Sequence, residues 1–139
     1  MEGFMIIQVF ALTILGGLLT FYINHNLEKG PVFASAVLAL LSGITFPAIF
    51  GADTGMTLAT AVTAASYAGM SGKNRVRNFK EMTVALIFLS IIFVVSINAF
   101  AGIGGKLGTI ACISVLSLYG AKAVYRQISG GTKGAQATE

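Results

Sequence analysis

Long apolar runs separated by short polar connectors make up most of this chain. Residues 4–23, 31–50, 82–101 and 107–125 each form a nearly unbroken stretch of aliphatic, aromatic and small residues. A helix of about 20 residues spans a hydrocarbon core of about 30 Å, so each run is long enough to cross a membrane. Between them lie "NHNLEKG" at 24–30, "GAD" at 51–53, "GKNRVRNFKE" at 72–81 and "GIGGK" at 102–106. A fifth stretch, 53–71, has the right length but an unusual content. It reads "DTGMTLATAVTAASYAGMS", with hydroxyls and alanines where the other four carry Leu, Ile and Phe. The pattern predicts an all-α integral membrane protein, a bundle of five transmembrane helices. The alternative is four crossings plus one re-entrant segment at 53–71. The transmembrane domain is expected over 1–128, followed by a flexible cytoplasmic tail at 129–139, "SGGTKGAQATE". No internal repeat is visible, which gives an inverted-repeat transporter no support. The N-terminal run follows no Lys or Arg and no small-x-small cleavage site, so it reads as retained rather than as a signal peptide.

Composition strengthens the membrane reading. The chain has 139 residues, 55% hydrophobic and 10% charged, with a mean hydropathy of +0.84. A soluble domain carries about 25% charged residues, so too few charges are present here to coat a surface exposed to water. The membrane is expected to be the cell membrane, with an organelle membrane as the other choice. Net charge is +4, and its distribution indicates orientation. With five crossings, Lys29, Lys73, Arg75, Arg77, Lys80, Lys122, Arg126 and Lys133 share one side, and Lys106 alone takes the other. Eight against one obeys the positive-inside rule, placing the N-terminus outside and the C-terminus inside. Tyr22, Tyr67, Tyr119 and Tyr125 fall at the same inner ends, where an amphipathic ring suits the interface.

Two sets of residues on the fifth, polar stretch deserve a functional reading. Asp53, Thr57, Thr60, Tyr67 and Ser71 recur at steps of three, four and seven, one face of a helix. They form a candidate polar path with Asp53 at its outer mouth. The competing reading is a packing helix whose hydroxyls bond back to their own backbone. Ala61, Ala65 and Gly69 have small-xxx-small spacing, as have Gly104, Gly108 and Cys112 in the last run. Such faces let helix backbones approach closely in lipid, so the last run is the expected partner of the polar one. Pro47, Gly51, Asp53 and Gly55 are expected to share one irregular outer neighbourhood, with Lys106 near Asp53. On the 82–101 run, Ser90, Val94 and Asn98 are expected to turn inward, with Phe88, Ile92 and Phe93 toward lipid.

The inner basic loop, with Lys73, Arg75, Arg77 and Lys80, reads first as an orientation signal at anionic headgroups. Its rival reading is docking of an acidic partner or an anionic lipid. Catalysis is hard to assemble. The acidic residues are scattered, and His25 is expected inside while Asp53 is outside. One His with one Cys offers no zinc cage, and "GIGGK" lacks the spacing of a phosphate loop. No catalytic, metal or cofactor residue is therefore assigned, and nucleic acid is not an expected partner. The sequence favours a small non-catalytic membrane subunit that packs with the lipid bilayer, other membrane subunits or copies of itself. The alternative is a small oligomeric ion channel or transporter using the Thr/Asp face.

Overall fold

The computed structural model describes residues 3–27, 30–72, 74–97, 99 and 105–134, with side chains as far as 129. These residues form five α-helices: α1 (Gly3–Asn26), α2 (Pro31–Phe50), α3 (Ala52–Gly69), α4 (Phe79–Ser96) and α5 (Lys106–Gly134). Four of them, α1, α2, α4 and α5, are long and apolar enough to span a membrane. α3 has the length, 18 residues or about 27 Å at 1.5 Å per residue, but not the apolarity.

Pairs of residues in contact give the direction of each helix. On α1 and α4, the Thr13 and Ser90 hydroxyls share a hydrogen bond and the Phe21 and Phe79 rings meet edge to face, so these helices are antiparallel. α2 and α3 are antiparallel too. The Ser35 and Ser66 hydroxyls are 2.8 Å apart near one end, and Gly55 lies on the Phe46–Pro47 backbone near the other. α1 and α3 run in the same direction, with Gly16 against Val62 and Thr20 against Gly69. Lys122–Glu81 and Lys106–Ile97 make α5 antiparallel to α4. The five helices therefore alternate in direction.

α3 occupies the middle of this arrangement and touches each of the other four helices, whereas α2 touches only α1 and α3. Ten of its 18 residues are buried, Ala61, Ala65 and Gly69 among them. Its small side chains explain the position, because they let two neighbouring helices come close on opposite sides. A Cβ on Gly69 would lie 2.8 Å from the Gly17 carbonyl oxygen. On α1, Thr13, Gly16, Gly17 and Thr20 form the matching strip, all buried. The single residue Gly51, at φ 85°, joins α2 to α3. A positive φ of this kind is open to glycine at little cost, and it lets the chain reverse within one residue.

The buried hydroxyls are all spoken for. Thr20 donates to the Gly16 carbonyl at 2.9 Å and Ser114 to Ile110 at 2.7 Å, while Thr13–Ser90 and Ser35–Ser66 tie helices together. Among the described residues, no buried side-chain polar atom is left without a partner. Interhelical hydrogen bonds of this kind average about 0.6 kcal/mol in a membrane. They fix register more than they supply stability.

Several sequence expectations are corrected here. The main neighbours of α3 are α1 and α2, and α5 meets it less closely. Gly108 and Cys112 are exposed, and a Cβ on Gly108 would find nothing within 4 Å, so neither makes the tight packing contact expected of it. Gly104, expected on the same face, lies outside the described residues, as do Lys73 and Asn98. On α4, Phe93 is buried rather than lipid-facing. The exposed stripe is Val84, Ile87, Ile91 and Val95, one helical face at steps of three and four. A helix apolar on all sides carries no signal that distinguishes those faces. α5 continues through Gly134, past the boundary set at 129 for the flexible tail.

Candidate functional site

The polar face of α3 is open at its two ends and closed between them at Ala64, which is fully buried. Asp53 is exposed, Thr57 and Thr60 are half-buried, Tyr67 is exposed and Ser71 is half-buried. Each threonine hydroxyl bonds back to its own helix. Thr57 donates to the Asp53 carbonyl at 3.0 Å, and Thr60 lies 3.0 Å and 2.8 Å from the carbonyls of Met56 and Thr57. This is the arrangement that makes a hydroxyl inexpensive in an apolar setting. Asp53 stands in the first turn of α3, where a carboxylate suits the positive end of the helix dipole. It does not meet Lys106, whose ammonium instead donates to the Ile97 carbonyl at 3.1 Å and so caps the end of α4. The neighbourhood expected around Pro47, Gly51 and Gly55 does form. It is a tight helix crossing, with no room for a ligand at Gly55.

The opposite end of the bundle collects cations. In the connector from α3 to α4, the Arg75 and Val76 amides both donate to the Gly72 carbonyl, at 2.9 Å and 3.2 Å. Val76 is fully buried. Anchored by this apolar peg, the loop turns its flanking neighbours Arg75 and Arg77 to the surface. Lys80 is exposed one step into α4. Glu81, three residues past the cap position Asn78, reaches back past it to accept the Arg77 amide at 3.0 Å. Its other oxygen accepts the Lys122 ammonium at 2.7 Å. One carboxylate thus fixes the loop, the start of α4 and the last part of α5 relative to one another.

Around this clasp lies a cavity of about 130 Å³ lined by Asn74, Arg75, Arg77, Tyr119, Lys122, Ala123 and Arg126. Arg75 also borders a second, larger cavity of about 360 Å³, which runs between Tyr67, Ala68 and Ser71, at the C-terminal end of α3 and just beyond it, and the 108–116 stretch of α5. The sequence reading identified Arg75 and Arg77 but not their association with Lys122 and Arg126.

His25 is also at the basic end. Its Nδ1 is 3.0 Å from the Phe21 carbonyl and its ring stacks on Phe21 at 4.1 Å. Asp53 is at the other end, one residue beyond the start of α3. The two do not come together. Compared with family models, curated proteins and solved structures, the chain matches none.

Proposed function

We propose that this chain is a non-catalytic subunit of a membrane assembly, crossing the bilayer five times with its N-terminus outside and its basic end in the cytoplasm. One observation carries the assembly reading: the strip of α3 left open is its polar strip. Ten of the 18 residues of α3 are buried against its neighbours, yet Asp53 and Met56 are exposed and Thr54, Thr57 and Thr60 are half-covered. Acyl chains offer hydroxyls and a carboxylate nothing, whereas a neighbouring protein helix offers close packing and polar partners. The occupant is a helix of another subunit or of a second copy. Thr60→Phe should therefore shift the complex to a smaller size on chromatography in mild detergent while helicity is retained. Unchanged elution would remove the strip as an assembly surface.

A second reading, a cation path through an oligomer, draws on the exposed carboxylate of Asp53 at the head of the same strip. The strip leads toward Arg75 at its other end, and a fixed guanidinium there opposes cation passage. For the subunit reading, Asp53→Asn leaves cation flux into reconstituted vesicles unchanged. Loss of a parental flux on that substitution would establish the path instead.

The alternating helix directions and the span length of α3 support five crossings, and the basic end supports the orientation. In a Cys112→Ser background, needed because Cys112 is exposed, Asn26→Cys and Asn74→Cys should react with an impermeant thiol reagent from the same face. Ala99→Cys should react from the other. Labelling of Asn26→Cys and Asn74→Cys from opposite faces would reject α3 as a crossing and leave the four-crossing topology.

A further inference from the structure

We propose that the basic end is a binding site for one anionic phospholipid of the cytoplasmic leaflet, its phosphate seated among Arg75, Arg77 and Arg126 and an acyl chain laid in the groove between α3 and α5. Charge is the first argument. The smaller cavity is lined by Arg75, Arg77, Lys122 and Arg126, and one carboxylate, Glu81, faces that group through Lys122. Four positive charges against one negative leave three in excess. Glu81 is already engaged by Lys122 and the Arg77 amide, and among the described residues the three guanidiniums have no carboxylate partner. Guanidiniums match phosphate oxygens through paired N–H donors. Tyr119, at 54% exposure, adds a hydroxyl at the height of the headgroup.

Shape is the second argument, and it separates a lipid from a free phosphate. Arg75 lines both cavities, so the cationic pocket opens into the groove. Along α5 the lining changes character in order: Arg126, Lys122 and Tyr119 at the charged end, then Leu116, Cys112 and Gly108. The apolar part, from Leu116 to Gly108, is eight residues, about 12 Å of helix, within the roughly 15 Å that one leaflet contributes to the hydrocarbon core. Gly108, whose added Cβ would find nothing within 4 Å, and the small, exposed Cys112 leave the width an acyl chain requires. The Glu81 clasp holds the loop and α5 in place, so the site is formed before the lipid arrives.

The test is a titration of the full chain in neutral detergent, followed by intact-complex mass spectrometry, with three probes: phosphatidylglycerol, phosphatidylcholine and inorganic phosphate. One phosphatidylglycerol should remain bound per chain, with phosphatidylcholine much weaker. Arg75→Gln and Arg126→Gln should each weaken phosphatidylglycerol binding about fivefold, the effect of one basic residue near a lipid surface. Lys80→Gln, outside both cavities, should not. Cys112→Phe, which fills the groove, should weaken the lipid as well without lowering the melting temperature. Equal binding of the two lipids, or indifference to both arginine substitutions, would overturn the site. Binding of inorganic phosphate as tight as that of phosphatidylglycerol, with Cys112→Phe silent, would overturn the lipid and leave an anion pocket.

Discussion

Gly55→Ala should cost the protein its α2–α3 hairpin, although it adds a single methyl group. A Cβ built on Gly55 overlaps the Phe46 carbonyl oxygen and the Pro47 Cα. Both are backbone atoms, so no rotamer change relieves the overlap, and the two helices must move apart. Gly51 makes that movement hard to absorb, since one residue at positive φ is the whole connection. Overpacking a well-filled core costs about 1–3 kcal/mol and sometimes more; a clash against the backbone of a neighbouring helix belongs at the high end. Gly43→Ala on the same hairpin is the control. Nothing lies within 4 Å of its added Cβ, and alanine favours a helix interior by about 0.5–1 kcal/mol over glycine. Thermal unfolding in detergent should show a large drop for Gly55→Ala and none for Gly43→Ala. Equal melting of the Gly55 variant and the parent would mean that the helices do not cross there.

Ala65→Leu should be comparably severe, and Gly108→Leu should be tolerated. Ala65 has no exposed surface in the middle of α3, inside the main apolar cluster with Val9, Leu58 and Leu86. Leucine there needs room for three more carbons where helices already meet. At Gly108 the same side chain enters open groove. The pair belongs in one experiment, since small-xxx-small spacing treats the two positions alike and the structure separates them. Similar losses at both would place α5 against α3 more tightly than described.

The contrast between Ala65 and Gly108 shows what was legible in the sequence. Run lengths and connectors foretold each helix, including α3, because apolar length and punctuation act locally. The central position of α3 was legible as well, since a helix of Ala, Gly and Thr gains little from acyl chains. The choice of its neighbours was not. Gly16 and Gly17 on α1 carry the close approach, but they were hidden in a run whose apolar length commanded attention. The spacing Thr13, Gly17, Thr20 would have revealed it. The pairing of Glu81 with Lys122, 41 residues apart, depends on how α4 and α5 lie together, which no local pattern encodes. The polar face of α3 is legible in its spacing, but whether another chain covers it depends on molecules beyond this one.

The one-residue link at Gly51 also bears on how the protein enters its membrane. α3 alone is a poor candidate for leaving water, with four threonines, a serine, a tyrosine and an aspartate in 18 residues. α2, immediately before it, is among the most apolar segments of the chain. With no loop between them, the two should leave the translocation machinery as a single helical hairpin, the apolar arm carrying the reluctant one. A glycosylation reporter placed after α3 should then report a crossing when α2 precedes it and none when α3 is offered alone. Independent insertion of α3 would show instead that its hydroxyls, folded back onto their own helix, are enough to make it a membrane segment.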